Sequence, residues 1–235
     1  MTVIDAVPAR ALAVYAHPDD PEVSCAGTLA RWAAAGAEVH LTICNAGDKG
    51  THDAGADAVE LAATRAAEAQ AAATVMSLAG HDILGYPDGE IENDVGLRSR
   101  LVQAIRALRP EVVIAPDPTA VFFGDSYVNH HDHRAVGWAV LDACAPMAAS
   151  PLYFPATGPA HQVTTVLLSG TLAPDAWVDI GPSLEAKIEA LRCHASQLGE
   201  GAELVPEVVT ARAEEAGLLA GVAYAEGFRR LTLRR

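Results

Sequence analysis

The feature that most constrains the fold is an alternation of short apolar segments with longer segments of helical character. Apolar runs of strand length occur at Arg10–Ala16, Glu38–Cys44 and Glu111–Ala115, and a helical segment follows each. This pattern is typical of a mostly parallel sheet covered by helices, so we predict a Rossmann-like α/β fold. Further strands are predicted at His81–Leu84, Val163–Ser169 and Ala176–Ile180, and helices at Glu22–Ala35, Asp57–Leu78, Val95–Leu108, His133–Cys144, Ser183–His194 and Pro206–Ala225.

The length of 235 residues fits one large domain or two small ones. No low-complexity linker or internal repeat divides the chain, although strands follow one another more closely after Pro151. We therefore predict a single domain over residues 1–235, in which a smaller C-terminal part adds edge strands to the parallel sheet.

The chain carries a formal net charge of −14, which disfavours binding to nucleic acid or to anionic membranes because their phosphates would be repelled. It has no apolar run of membrane-spanning length and no secretory signal, and its four cysteines are scattered. We therefore expect a cytoplasmic location, free thiols and a small-molecule substrate. An apolar helix such as Val208–Tyr224 would suit contact with a second subunit, so a homo-oligomer is a further expectation.

His17, Asp19 and Asp20 directly follow the first predicted strand, at the carboxyl end where α/β proteins place their chemistry. One imidazole and two carboxylates are a compact donor set for zinc, and a dication would relieve the repulsion between the carboxylates. The alternative is a turn in which the aspartates cap the next helix.

A second cluster, His130-His131-Asp132-His133, follows the strand predicted at Glu111–Ala115. It too would lie at a strand carboxyl end, so the two clusters could meet above the sheet. A polar helix start with Asp132 as its cap is the alternative. The sequence has no GxGxxG motif, Walker loop or GxSxG motif, so nucleotide binding and serine-hydrolase chemistry are not indicated.

The two clusters, read as AHPDDPE at residues 16–22 and NHHDHRAVG at residues 129–137, resemble the PIG-L/LmbE-like family of zinc-dependent N-deacetylases. Weaker similarities follow in order at Thr42–Gly50, Arg65 with Glu68, Tyr86–Gly89 and Lys187–Gln197. The sequence departs from the family where His131 replaces the usual proline. We expect His131 to face solvent.

The resemblance implies that His17, Asp20 and His133 ligate Zn²⁺, with Fe²⁺ as an alternative metal. Three protein ligands leave a coordination position for water and substrate. The resemblance also implies that Asp19, beside a ligand, is the general base of amide hydrolysis.

The second cluster would complete the site. By the same resemblance, a protonated His130 stabilises the oxyanion, and Asp132 hydrogen-bonds His130 and keeps its pKa raised. Arg65 and Asp88 would bind substrate. Their alternatives are an ion pair of Arg65 with Glu68 on a helix surface and a turn role for Asp88.

These features predict a hydrolase that cleaves an N-acetyl or other N-acyl bond of a small amino-sugar-like metabolite. Alternatives within the same chemistry are an amidase of thiol–sugar conjugates and a tailoring deacylase of secondary metabolism. A metal-binding regulatory or sugar-binding protein without catalysis is the alternative of another class. His194 and Gln197 could reach the site from the C-terminal half, and the alternative for both is a core or surface role.

Overall fold

The computed structural model describes residues 2–233, except for the side chain of Glu200, and its centre is a mixed sheet. The strands are β1 (Thr2–Val3), β2 (Arg10–Tyr15), β3 (Glu38–Asn45), β4 (Gly80–Tyr86), β5 (Val112–Pro116), β6 (Phe122–Phe123), β7 (Tyr127–Val128), β8 (Thr165–Ser169), β9 (Ala176–Asp179) and β10 (Ala225–Thr232). The α-helices are α1 (Asp20–Ser24), α2 (Ala26–Ala34), α3 (Ala58–Val75), α4 (Val95–Leu108), α5 (His131–Asp142), α6 (Leu184–Arg192), α7 (Ala195–Leu198) and α8 (Val205–Ala220).

The order of strands in the sheet is β1-β9-β10-β8-β5-β2-β3-β4. The five strands from β8 to β4 run parallel to one another. This arrangement confirms the predicted α/β class with a mostly parallel sheet flanked by helices.

The side chains of β2 alternate between two hydrophobic cores, one on each face of the sheet. Ala13 and Tyr15 pack on the face that α2 covers with Trp32, whereas Leu12 and Val14 pack on the opposite face. Because both faces are covered, every residue from Ala11 to Tyr15 is buried. This double burial explains why the strand is continuously apolar.

The C-terminal strand β10 was missed in the sequence, where a helix was predicted up to Ala225. Helix α8 instead ends at Ala220, and Gly221 adopts a left-handed φ of 77° that terminates it. Strand β10 then inserts antiparallel between β8 and β9, so it lies inside the sheet rather than at an edge. Its partners are distant in sequence, and local patterning did not indicate them.

The helix predicted at Glu22–Ala35 is two helices, α1 and α2, which are separated at Cys25 (φ −147°). The carboxylate of Glu226 accepts hydrogen bonds from the backbone N–H groups of Gly27 and Thr28, at 3.0 and 2.7 Å. Strand β10 therefore anchors the start of α2, where the first N–H groups of a helix lack intrahelical partners.

The described part of the chain, residues 2–233, contains no helix with both the length and the apolar character needed to cross a bilayer. All four cysteines are free thiols, and burial raises the pKa of Cys44, which is inconsistent with an activated nucleophile.

Candidate active site

The two predicted clusters meet at one edge of the sheet. His17, Asp19 and Asp20 follow β2, and His130 to His133 begin α5 after the neighbouring strand β5 and a short hairpin. Since β2 and β5 are parallel neighbours, their carboxyl ends lie side by side. The topology therefore brings together groups more than a hundred residues apart in the chain.

His17, Asp20 and His133, which we call the ligand triad, point their donor atoms at one another. Nδ1 of His17 lies 3.1 Å from Nε2 of His133 and 3.3 Å from Oδ2 of Asp20. Nε2 of His133 lies 3.1 Å from the other Asp20 oxygen, Oδ1. Zinc bonds of about 2.0–2.2 Å in a tetrahedron separate neighbouring donors by roughly 3.3–3.6 Å, close to these distances. The triad therefore fits a tetrahedrally bound metal ion.

The charged groups in and around the ligand triad also favour a cation at this position. Burial acts to raise the pKa of Asp20, but His133 and His17 outweigh it and hold that pKa well below its usual range. Burial acts to lower the pKa of His17, but Asp132, Asp20 and Asp88 raise it to about 12. Three carboxylates thus surround one imidazole and stabilise positive charge at this position.

Asp19 has a strained backbone and a carboxylate that does not cap the helix after it. It occupies the N-cap position of α1 with a left-handed φ of 89°, yet its side chain caps no backbone N–H. The helix-cap alternative for Asp19 is therefore not observed. Burial and the charge of Asp20 raise its pKa to about 7, although Arg65 partly opposes them. A carboxylate with this pKa can accept and return a proton near neutral pH.

Arg65 is buried beneath Asp19. One Nη donates to the backbone oxygen of Pro18 at 2.8 Å and contacts Asp19 Oδ2 at 3.3 Å, and the other donates to the Gly47 oxygen at 3.1 Å. Glu68 does not pair with Arg65 as the helix-surface alternative required, because its carboxylate accepts from Ser196. The substrate contact predicted for Arg65 stays a prediction: its terminal nitrogens contact protein acceptors, and its side chain also borders a cavity shared with His17 and Asp88.

Asp132 lies behind His17, whereas the sequence interpretation paired its carboxylate with His130. Its Oδ2 is 3.3 Å from Nε2 of His17 and accepts from the backbone N–H of Gly89 at 2.8 Å. Oδ1 accepts from the backbone N–H of Ile91 at 3.2 Å. The carboxylate is fully buried and held by these backbone groups. Its contact with Nε2 therefore fixes the orientation of the His17 ring.

His130 is exposed and acts as the N-cap of α5, with Nδ1 accepting from the backbone N–H of Asp132 at 3.2 Å. The alternative of Asp132 as cap is thus not observed. Burial and the nearby charge of His17 lower the pKa of His130, contrary to the predicted increase. Because Nδ1 is an acceptor, the neutral ring carries its proton on Nε2.

Asn129 has a role at the site that was not identified from the sequence. Its Oδ1 lies 2.9 Å from Nδ1 of His133, and its Nδ2 donates to the Ala120 oxygen at 2.7 Å. The amide thereby fixes the ring of His133 so that Nε2 faces the ligand triad. The sequence signal for this role is the position of Asn129, four residues before His133 at the start of a helix.

The other candidates have the following surroundings. Asp88 is buried, with Oδ1 3.1 Å from His17 Nε2. His131 is exposed, as expected. His194 is buried against Glu22 at 3.2 Å, which places it behind the site, and Gln197 donates to the Gly50 oxygen at 3.2 Å.

Two cavities meet at Asp19. The large cavity, of about 730 Å³, is bordered by Asp19, Asp20, His133 and more distant side chains. The polar cavity, of about 360 Å³, is bordered by Asp19, His17 and His130, and also by Arg65 and Asp88. A substrate bond at Asp19 could therefore extend a group into each cavity.

A short hairpin borders the large cavity where the sequence predicted only a loop, at Phe122–Asn129. Strands β6 and β7 pair Phe123 with Tyr127, whose ring centroids are 5.9 Å apart, and both side chains line the cavity. The second pair, Phe122 and Val128, is exposed. Alternation along each strand thus gives the hairpin one aromatic face toward the cavity.

Comparison with known proteins finds a matching family model and several similar proteins. Residues 12–144 match the family model described as PIG-L, GlcNAc-PI de-N-acetylase. Diacetylchitobiose deacetylase of Thermococcus kodakarensis is 30% identical over 94% of this chain and 82% of its own length. The 1D-myo-inositol 2-acetamido-2-deoxy-alpha-D-glucopyranoside deacetylase of Rhodococcus jostii is 28% identical over 80% of this chain and 82% of its own. Among solved structures, N,N'-diacetylchitobiose deacetylase of Pyrococcus horikoshii superposes with a TM-score of 0.86 and 28% identity, covering 96% of this chain and 84% of that one.

Proposed function

Since the chain belongs to the PIG-L family, we propose that it is a zinc-dependent hydrolase that removes the N-acyl group of a small amino sugar. The relatives described above are deacetylases named for acetylated amino-sugar substrates. The observation that carries the proposal is the ligand triad of His17, Asp20 and His133 with the uncapped carboxylate of Asp19 beside it.

His17, Asp20 and His133 would hold the metal, and their donor separations of 3.1 to 3.3 Å support zinc. When bound, such an ion acts as a Lewis acid that polarises the amide carbonyl and lowers the pKa of water toward about 7. Iron(II) is the alternative metal, because imidazole and carboxylate ligands accept both ions.

Asp19 would handle the proton of the reaction. Its carboxylate takes a proton from the attacking water and returns it to the nitrogen as the C–N bond breaks. Burial raises the pKa of Asp19, which favours a carboxylate that can both accept and return a proton. Arg65 would act as a positioning residue, because it holds the backbone at Pro18 and contacts Asp19 itself.

His130 would stabilise the negative charge that develops on the carbonyl oxygen. Its Nε2 carries the proton when Nδ1 accepts from the Asp132 amide, and the ring borders the polar cavity next to Asp19. A donor placed where charge develops lowers the barrier more than it strengthens binding of the ground state.

The large cavity supports an amino-sugar substrate. Asp117 and Arg212 supply charged groups at its border, and Phe123 and Tyr127 supply an aromatic wall. Amphipathic walls of this kind suit a ring that has both hydroxyl groups and apolar C–H groups. Two alternatives use the same chemistry, namely an amidase of thiol–sugar conjugates and a tailoring deacylase of secondary metabolism. They differ in the groups that the substrate carries on the amide.

The test compares two neighbouring aspartates with the same substitution. Asp19→Asn should retain stoichiometric zinc and lose about 100-fold or more in kcat/KM toward N-acetylglucosamine derivatives, because a general base is removed. Asp20→Asn should lose zinc as well as activity. Metal is measured by mass spectrometry and turnover by release of free amine, with and without chelator.

Full activity in Asp19→Asn would refute its assignment as base, and a protein that neither binds nor responds to zinc would refute the proposed function. A metal-bound protein with no activity on these amides would favour the non-catalytic alternative.

A further inference from the structure

An apolar cleft of about 330 Å³ lies between α6 and α8, next to the large cavity. Its walls include Ile180, Leu191, Val205, Val209 and Ala213, all of them buried side chains. The proposed hydrolysis of an N-acetyl group does not require this space. An accessible apolar cleft of this size can hold an aliphatic chain.

Two charged groups that border the apolar cleft neutralise each other. Nζ of Lys187 lies 2.6 Å from Oε1 of Glu226, and it also donates to the Val23 oxygen at 3.0 Å. Both side chains are buried, and the Glu226 carboxylate is further occupied by two backbone N–H groups of α2. These charges therefore do not require a polar ligand, and the space beside them is available to an apolar one.

The apolar cleft adjoins the large cavity. Val23, Ser24 and Arg212 border both spaces. Val23 is on the same helix as Asp20 of the ligand triad and three residues after it, about one helical turn or 5 Å away. The proposed reaction places the acyl carbon nearest the metal ligands, so an acyl chain directed along α1 toward Val23 would enter the cleft.

We propose that the apolar cleft binds the aliphatic chain of an N-acyl substrate, which makes the chain a deacylase for acyl groups longer than acetyl. This inference rests on the proposed function and specifies its substrate class. Water supplies its oxygen and one hydrogen to the carbonyl carbon as a hydroxyl group and its other hydrogen to the nitrogen. The C–N bond breaks, and the products are an aliphatic carboxylic acid and a free amino sugar.

The direct test is a series of glucosamines that carry N-acetyl, N-butanoyl, N-hexanoyl and N-octanoyl groups. Burial of a methylene is worth about a fourfold change in binding, so kcat/KM should rise by about that factor for each methylene that enters the cleft. If the enzyme hydrolyses the acetyl compound and kcat/KM stays level or falls with chain length, the inference is wrong while the proposed function stands. If no member is hydrolysed by the zinc-loaded protein, the proposed function itself fails.

Two variants on α8 test the location. Ala216→Phe fills the cleft, and Val208→Asp places a charge at its half-exposed rim, so each should reduce the octanoyl-to-acetyl ratio of kcat/KM toward one. Leu218→Phe, on the exposed side of the same helix, is the matched control and should leave the ratio unchanged. Thermal unfolding identifies a variant that fails to fold. If one of the two cleft variants fails, the kcat/KM ratio of the other one tests the location. A ratio unaffected in folded variants would overturn the inference.

Two other occupants are distinguished by further measurements. If kcat/KM rises on going from methyl to octyl glycosides of N-acetylglucosamine but not along the acyl series, the cleft binds the group attached to the sugar and the inference is overturned. If Ala216→Phe or Val208→Asp changes the molar mass measured by light scattering without changing the ratio, the cleft is an interface between copies of the chain. That result would also overturn it.

Discussion

The carboxylate of Asp132 lies 3.3 Å from Nε2 of His17, while the other ring nitrogen of His17 lies 3.1 Å from Nε2 of His133. The aspartate therefore acts on the ligand triad from behind. It orients the imidazole and increases its basicity, which would strengthen a metal bond at Nδ1 in the proposed site.

Asp132→Asn should therefore weaken zinc binding by about 10- to 100-fold, the effect expected on losing a carboxylate behind a metal-bound histidine. Competition with a chromogenic chelator measures the affinity. Asp94→Asn, at the N-cap of α4 on another part of the surface, is the control and should bind zinc like the unmodified protein. Unchanged affinity in Asp132→Asn would contradict the role given to its carboxylate.

The hairpin should contribute to substrate binding through one face only. Phe123→Ala and Tyr127→Ala should each raise KM for an amino-sugar amide by roughly five- to tenfold with little change in kcat, because an aromatic contact is lost. Phe122→Ala removes the neighbouring exposed ring from the opposite face and should leave KM unchanged. Steady-state kinetics measures KM and kcat of the three variants. An equal increase in KM at all three positions would indicate general disruption of the hairpin.

Arg106 should be the most important buried cation for stability. Its guanidinium donates to carbonyls of the segment 147–158, including those of Met147, Ser150 and Tyr153 at 2.7 to 3.0 Å. Arg106→Met leaves several of these acceptors without partners, which should lower the free energy of unfolding by about 3 kcal/mol or more.

Urea denaturation measures this loss. Arg100→Met is the matched control on the same helix, because Arg100 makes one exposed bond to the Leu84 oxygen. Its cost should stay below about 1 kcal/mol. Similar costs for the two variants would show that the carbonyl cluster does not depend on Arg106.

Stability should decline with rising pH through His194. Burial acts to lower its pKa, but Glu22, followed by the charges of Asp19 and Glu68, raises the pKa above the usual 6.5. Below 6.5 both the folded and unfolded chains bind the proton, so the stabilisation is fully present. Above 6.5 the unfolded chain releases the proton first, and stability is lost at up to about 1.4 kcal/mol per pH unit until pH exceeds the raised pKa of the folded state.

Urea denaturation at several pH values above 6.5 measures this slope, to which His17 also contributes in the same direction because its pKa is raised as well. His194→Gln should reduce it, whereas His52→Gln in an exposed loop should preserve it. A slope that is identical in His194→Gln and the unmodified protein would exclude His194 as its source.

The strand–helix alternation predicted the sheet correctly wherever strands are parallel and buried on both faces, as in β2, β3 and β5. Burial on both faces requires apolar residues at every position, and such a run is visible in the sequence itself. Strand β10 was missed because its residues include the pair Arg229-Arg230, and its place in the sheet depends on pairing with β8 and β9. The hairpin was missed because its strands have only two residues each.

The sequence by itself determined the donor types and the elements that carry them. His17 and Asp20 directly follow a strand and His133 lies at a helix start, and both are local properties. Only the tertiary structure decided which partner each group has. Asp132 contacts His17 instead of its near neighbour His130, and Arg65 contacts Asp19 instead of Glu68. These pairs are separated by 46 to 115 residues, and packing of the helices against the sheet sets their distances.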